Sequence, residues 1–228
     1  MSSLARRAIA EMIGTGFLVF FGCGAIIMNN YDGAKFNIFG IAIIHAFILS
    51  LGITMTMGVS GGHLNPAVTI GLAAIKKITP SDAFIYVASQ LVGAIVAAML
   101  VRTILPANVG RVVAYGTPML HSSVSFPQAI AIEAVITFVL MSGWMATIVA
   151  NNAPKIGGFG VGLTLIPSIM VAGILTGAAA NPARAFGPAV VSGSFTSQAV
   201  WWIGPILGAI AAAFLWEKVL LKKDAVSA

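Results

Sequence analysis

Charged residues are scarce in this sequence. Asp, Glu, Lys and Arg make up 8% of its 228 residues, whereas hydrophobic residues make up 59%, and the mean hydropathy is +1.01. Soluble domains contain about 25% charged and about 45–50% apolar residues, so the composition excludes a soluble protein. Because one membrane span needs about 20 apolar residues, the chain has room for six or seven spans and short loops. We therefore expect an all-α membrane protein that lies in a lipid bilayer.

Cysteine is nearly absent, and the sequence offers no recognisable metal site. The one cysteine, Cys23, lies in the first apolar segment, so it cannot form an intrachain disulfide and is expected to be a core residue. The His-Glu-x-x-His pattern of metalloproteases does not occur. We expect no metal, no cofactor and no catalytic residue. An intramembrane hydrolase that uses Ser60 and His63 is the alternative from another functional class.

The net charge of +6 indicates topology rather than nucleic-acid binding, because the cations are not interleaved with aromatic residues on one surface. One group lies at the chain ends and in alternate connections: Arg6, Arg7, Lys76, Lys77, Lys155, Lys218, Lys222 and Lys223. The opposite side would hold Lys35, Arg102 and Arg111. Since Lys and Arg concentrate on the cytoplasmic side, both termini are predicted to be cytoplasmic in a plasma (cell inner) membrane, which requires an even number of spans.

The apolar stretches predict six transmembrane helices, at about residues 8–28, 38–58, 83–104, 128–150, 157–177 and 199–221. Two further apolar segments, Val59 to Ile75 and Ala178 to Val191, are too short to span, and each contains Asn-Pro-Ala. Non-helical backbone at membrane depth is tolerated only where it is buried in protein or lines a water-filled cavity. We therefore predict two re-entrant half-helices beside a pore.

The chain also contains an internal repeat. Asn-Pro-Ala at residues 65–67 recurs at 181–183, and Glu11 in the first span is answered by Glu133 in the fourth. Such landmarks divide a single channel domain of residues 1–228 into repeat one (about 1–104), a connecting loop (about 105–126) and repeat two (about 127–221). Because each half has three spans, the second half enters the membrane in the opposite orientation, and an inverted repeat is expected.

Each Asn-Pro-Ala suits the start of a short helix. Asn is a favoured N-cap and Pro a favoured first helical residue, so Asn65-Pro66-Ala67 and Asn181-Pro182-Ala183 are expected to begin half-helices whose amide ends meet in mid-membrane. A helix N-terminus carries roughly half a positive elementary charge, which opposes a cation at the pore centre. The two Asn side chains would also donate N–H groups to a passing water, and this interrupts a chain of proton transfers.

Two stretches around these motifs resemble the signatures of the aquaporin (major intrinsic protein) family. They are residues 60–69, Ser-Gly-Gly-His-Leu-Asn-Pro-Ala-Val-Thr, and residues 181–188, Asn-Pro-Ala-Arg-Ala-Phe-Gly-Pro. The resemblance covers nearly the whole chain and implies the family's fold, a right-handed bundle of six helices and two half-helices assembled as a homotetramer. It also implies a microbial member of the family that passes water and small neutral solutes and excludes ions and protons.

The same resemblance implies four residues of a narrow selectivity filter, counted from each motif: His45, Ile169, Ala178 and Arg184. This set resembles the filter of plant vacuolar (tonoplast) aquaporins, several of which pass ammonia as well as water. A typical water-selective bacterial member has an aromatic residue in place of His45 and a His in place of Ile169. A glycerol facilitator is the alternative, although Ala185 stands where such relatives usually have Asp.

Four further polar residues each have two interpretations. His63, before the first motif, is expected to hold its loop rather than to gate the pore. His121, in the connecting loop, either is an exposed histidine or completes the filter, as a histidine of that connection does in ammonia-passing relatives. Glu11 and Glu133 lie deep in spans and are expected to accept backbone N–H groups of the two re-entrant loops, the alternative being a proton relay.

Overall fold

The structure of the protein is a computed structural model that describes residues 3–34 and 36–221. Within these residues, six helical segments are long and apolar enough to cross a membrane. Lys35, Lys222 and Lys223, which entered the prediction of topology, lie outside the described residues.

The described residues form helices and no β-strand. In chain order the helices are α1 (Ser3–Asn29), α2 (Asn37–Ser60), α3 (Pro66–Ala74), α4 (Pro80–Ile104), α5 (Ala107–Val112), α6 (Phe126–Trp144), α7 (Gly158–Leu163), α8 (Leu165–Thr176), α9 (Pro182–Ser192) and α10 (Val200–Leu215). A π-helical turn extends α6 to Val149, and another extends α10 to Leu220. The predicted fold class, six spans and two half-helices (α3 and α9), is confirmed.

Local sequence explains where several helices begin and end. Thr79 caps α4 by accepting the Asp82 N–H at 3.2 Å, and Pro80 is the first helical residue. At α6 the Ser125 N–H donates to the Gln128 side chain at 2.9 Å, one half of a capping box. Helix α2 ends where Gly61 adopts a φ of 87°, a conformation that favours glycine.

The fifth span, predicted over 157–177, is confirmed at Gly158–Thr176. Its regular α-helical hydrogen bonding is interrupted at Thr164, which keeps a helical φ of −62° and ψ of −22°. Pro167 has no N–H to donate to the Leu163 carbonyl, so one helical hydrogen bond is missing there. The Thr164 N–H bonds instead to the Val161 carbonyl at 3.1 Å, which tightens the turn. Hydrophobicity alone does not predict this interruption, because the segments on both sides of Thr164 are apolar.

Two helix pairs, α1 with α4 and α6 with α10, pack through close glycine contacts. A Cβ on Gly93 of α4 would collide with the Met12 carbonyl of α1, and a Cβ on Gly208 of α10 would collide with the Ala134 carbonyl of α6. The pairs belong to different halves of the chain, as an inverted repeat predicts. Half-helix α3 packs on α4 and α10, and α9 packs on α4 and α1, so both lie inside the bundle.

Candidate pore

The two half-helices begin at the two Asn-Pro-Ala motifs. Asn65 caps α3, where its side-chain oxygen accepts the Ala67 N–H at 2.9 Å, and Pro66 is the first helical residue. Asn181 caps α9 in the same way, accepting the Ala183 N–H at 3.0 Å and the Arg184 N–H at 3.2 Å. Both asparagines have the extended backbone of an N-cap, and both are buried.

Each asparagine also crosses to the loop of the other motif. Asn65 Nδ2 donates to the Ala180 carbonyl at 2.8 Å, and Asn181 Nδ2 donates to the Leu64 carbonyl at 2.9 Å. Leu64 and Ala180 adopt positive φ angles of 51° and 48°, a strained conformation for residues with a side chain. One N–H of each amide is held by the crossing bond, so one N–H of each remains for a molecule in the pore.

Two buried carboxyl groups hold the loops that precede the motifs. Glu11 accepts the backbone N–H groups of His63 at 2.9 Å and Leu64 at 2.7 Å. Glu133 accepts those of Ala179 at 3.0 Å and Ala180 at 2.8 Å. These loop amides have no place in a helix or sheet, and the two carboxyl groups provide acceptors that water would provide outside a membrane.

Ser60 and His63 do not form a catalytic pair. Ser60 Oγ donates to Glu11 Oε1 at 2.6 Å, whereas His63 Nδ1 contacts Thr69 Oγ1 at 3.1 Å. Residues 58–62, Gly-Val-Ser-Gly-Gly, do fit the Gly-x-Ser-x-Gly spacing of a hydrolase elbow. Such an elbow joins a strand to a helix, whereas Ser60 is the last residue of α2. Ser60 and His63 therefore stabilise the loop before the first motif, and Ser60 is not placed as a nucleophile.

The four residues expected in a filter meet in one enclosed cavity, which we call the narrow lumen. His45, Ile169, Ala178 and Arg184 are each at most 4% exposed, and all line it together with the two N-cap asparagines. The apolar part of its wall comes from Leu18, Leu49, Ile53, Val68, Leu140, Val161 and Leu165. The cavity volume is about 20 Å³, which is room for about one water-sized molecule.

The Arg184 guanidinium is held by an irregular segment of the connecting loop. Its Nη1 donates to the Gly116 carbonyl at 2.8 Å. Ala114, Tyr115 and Gly116 have consecutive positive φ angles of 45°, 53° and 82°, so the backbone is strained where it presents this carbonyl. Cys23 lies directly behind Gly116 and is fully buried in α1. The cysteine is therefore closer to the arginine than its place in a membrane span suggested.

The hydrogen bonds of His45 define which of its nitrogens is free. His45 Nδ1 lies 2.8 Å from the Ile41 carbonyl, and because a carbonyl only accepts, Nδ1 carries the hydrogen. In the neutral ring Nε2 is then an acceptor. Gly22 makes room for this side, since a Cβ there would stand 2.6 Å from Nε2.

A wider cavity of about 500 Å³, which we call the vestibule, adjoins the narrow lumen at Arg184, His45 and Ile169. His121 lines the vestibule, is exposed and does not line the narrow lumen. Its Nδ1 accepts the Ser123 N–H at 3.2 Å, and its own backbone N–H donates to the Leu175 carbonyl at 2.9 Å. This position fits an exposed loop histidine at the mouth of the pathway.

One large side chain of the narrow lumen, that of Trp144, was not predicted from the sequence. It is the last residue of α6 and is 2% exposed. A signal was present, since Glu133, Thr137, Leu140 and Trp144 follow one another at spacings of three or four and so share one buried helix face. That face also carries the carboxyl group that holds the second motif.

The chain is similar to known proteins over nearly its whole length. The family model described as "Major intrinsic protein" matches residues 1–216. A probable aquaporin NIP4-2 of Arabidopsis thaliana is 35% identical over 94% of this chain and 74% of its own length. A probable aquaporin TIP-type RB7-5A of Nicotiana tabacum is 36% identical over 95% of this chain and 88% of its own. The X-ray structure of the aquaglyceroporin from Plasmodium falciparum has the same fold, with a TM-score of 0.83 at 24% identity, covering 95% of this chain and 97% of that one.

Proposed function

Because the chain belongs to the major intrinsic protein family, whose members are membrane channels and not enzymes, we propose that it passes water and ammonia and excludes ions and protons. The observation that carries this proposal is the narrow lumen, in which the two N-cap asparagines, His45 and Arg184 are buried together. Family channels transport small neutral solutes across a membrane, and the lumen volume of about 20 Å³ suits the smallest of them.

Exclusion of cations follows from two features of the lumen. Helices α3 and α9 begin at Asn65 and Asn181, which both line the lumen. Each helix N-terminus carries roughly half a positive elementary charge. Arg184 adds a full positive charge where the lumen meets the vestibule. The free N–H of each N-cap asparagine would donate to the oxygen of a passing water, which orients that water and interrupts proton transfer along the file.

Passage of ammonia is supported by the polarity of the expected filter. Water and ammonia are similar in size, so the hydrogen-bonding groups must decide between them. His45 offers Nε2 as an acceptor for an N–H or O–H of the solute, and Ile169 offers no donor. The arginine repels ammonium, so the neutral molecule would be the permeant form.

Facilitated passage of glycerol or another small neutral solute is the second candidate. It is favoured by the apolar surface that Ile169 and Ala178 present in the lumen, which suits C–H groups. The His45 ring and the lumen volume of about 20 Å³ oppose a three-carbon solute. We therefore place water and ammonia first.

We further propose a homotetramer in the plasma membrane with both termini cytoplasmic, and with repeats at about 1–104 and 127–221 joined by the loop at about 105–126. Among the described residues, these cations lie on the side of the membrane where α1 begins: Arg6, Arg7, Lys76, Lys77, Lys155 and Lys218. The opposite face carries Arg102 and Arg111. By the positive-inside rule the vestibule then opens to the outside.

The test uses purified protein in liposomes and compares water, ammonia, glycerol and urea. Stopped-flow shrinkage measures osmotic water flow, and internal alkalinisation after an ammonium gradient measures ammonia entry. We expect both to exceed those of empty liposomes, and His45→Phe and Ile169→His to slow ammonia more than water. Val135→Ala, on the exposed face of α6, is the matched control. Ammonia entry no faster than in empty liposomes, or equal in wild type and both filter variants, would contradict the ammonia assignment.

A further inference from the structure

The end of the narrow lumen away from the vestibule is built from Trp144 and His63. The imidazole of His63 stands edge-on to the indole of Trp144, with ring centroids 5.8 Å apart and planes at 87°. On its other side it meets the Tyr86 ring at 5.1 Å. Trp144 and His63 are 2% and 8% exposed, so both rings are fixed by packing and still reach the lumen.

This end is separate from the expected filter. Helix α6 starts after the connecting loop that carries His121, on the vestibule side, and Trp144 is its last residue. Glu133, at the depth of the second motif's loop, precedes Trp144 by eleven residues, or about 16 Å along a helix axis. The two motifs therefore lie between Arg184 and Trp144.

The indole N–H of Trp144 has no hydrogen-bond partner among the described residues, although a buried tryptophan usually finds one. The other fully buried tryptophan, Trp201, does donate, to the Thr176 carbonyl at 2.9 Å. Trp144 itself lines the lumen. A molecule in the lumen is the acceptor that this geometry offers.

His63 supplies a second polar atom at this end of the lumen. Its Nδ1 is engaged by the Thr69 hydroxyl at 3.1 Å, and that hydroxyl also lies 3.0 Å from the Asn65 carbonyl. Nε2 is the ring nitrogen of His63 without a hydrogen-bond partner in the described part of the chain, and it accepts or donates according to the tautomer. The indole N–H of Trp144 and Nε2 of His63 are therefore both available to a molecule at this end of the lumen.

We propose that Trp144 and His63 form a second constriction, beyond the Asn-Pro-Ala motifs from Arg184, that binds one water or ammonia molecule and rejects larger neutral solutes such as urea. The inference rests on the proposed channel function. A solute must pass both constrictions in series. If only one of them is widened, the other still limits the rate at which a large solute enters. Water, which fits both, continues to flow.

Urea entry into liposomes tests this arrangement with two single variants and their combination. We expect His45→Ala alone and Trp144→Leu alone to leave urea entry close to the wild-type value, and the double variant to raise it about tenfold or more. If His45→Ala alone passes urea as fast as the double variant, Trp144 does not limit size and the proposal is overturned. Water flow in wild type decides separately whether the channel function holds.

Trp144→Phe separates ring size from hydrogen bonding. It keeps an aromatic ring and removes the N–H, so in the His45→Ala background it should exclude urea nearly as wild type does. Urea entry equal to that of the Trp144→Leu double variant would contradict a barrier of size. All rates are expressed per inserted channel, so that loss of folded protein does not imitate closure.

A second measurement does not depend on widening the lumen. In a Cys23→Ser background, Trp144→Cys places a thiol at the proposed constriction, and Val139→Cys places one on the exposed face of the same helix. Mercuric chloride should slow water flow several-fold through the first variant, reversibly on adding a thiol reductant, and should leave the second unchanged. A Trp144→Cys channel whose thiol reacts while its water flow stays normal would overturn the proposal.

Discussion

Removal of the Glu133 carboxyl group should destabilise the protein more than it changes the flow through each folded channel. In Glu133→Ala the N–H groups of Ala179 and Ala180 lose their acceptor inside the bundle. The Thr176 hydroxyl, which also donates to this carboxyl group at 2.6 Å, can turn to the Ala172 carbonyl at 3.5 Å. Two backbone donors are therefore left without partners.

The size of the effect follows from these two donors. An unsatisfied buried polar group costs about 1–3 kcal/mol, so the loss is about 2–6 kcal/mol in free energy of unfolding. Net stabilities of proteins are only about 5–15 kcal/mol, so folded yield should fall markedly. Glu11→Ala should cost at least as much, because it strips the His63 and Leu64 N–H groups and the Gln90 side chain together.

Thermal unfolding in detergent, followed by size-exclusion chromatography, measures the stability, and stopped-flow shrinkage measures water flow per inserted channel. The matched control is Glu217→Ala, since that carboxylate forms a partly exposed ion pair with Lys77 at 3.1 Å, and such pairs contribute about 0–1 kcal/mol. A Glu133→Ala protein that unfolds like wild type but conducts no water would refute the scaffold role.

Three further outcomes are expected. Arg184→Val should admit protons while water flow continues, as measured with a pH-sensitive dye inside liposomes; an unchanged proton leak would contradict the role of the arginine in ion exclusion. Mercurials should not inhibit the wild type, because Cys23 is fully buried, whereas Ala178→Cys should become sensitive; insensitivity of a reacted thiol would place residue 178 outside the narrow part. Gly93→Ala should reduce folded yield, because its Cβ would collide with a carbonyl of α1, and Gly58→Ala, with nothing within 4 Å, should not; equal yields would contradict the close helix contact.

The sequence predicted those parts of the structure that follow from local rules. The half-helices start at Asn65 and Asn181 because N-cap and first-turn preferences act within a few residues. The carboxyl groups of Glu11 and Glu133 could be matched to the loop amides because a buried charge and an irregular backbone at membrane depth both need partners. Spacing along the chain was sufficient for these features.

Other parts depend on contacts between distant segments and could not be read from spacing. The Gly116 carbonyl accepts from Arg184 out of a segment in which three consecutive residues adopt positive φ angles, and no turn motif in the sequence predicts this segment. Trp144 was hidden among apolar neighbours, where a large side chain ordinarily belongs to the core. The interruption at Thr164 depends on Pro167, which has no N–H for the Leu163 carbonyl four residues earlier, and the hydrophobicity of the span does not indicate it.

The most direct test of the account is a paired measurement of osmotic water flow and proton conductance on the same wild-type proteoliposomes. We expect water flow well above that of empty liposomes, with a proton leak equal to that of empty liposomes, because the half-helix N-termini and Arg184 oppose cations while the lumen admits water. Water flow equal to that of empty liposomes, or a proton leak that rises in proportion to the amount of inserted protein, would contradict it.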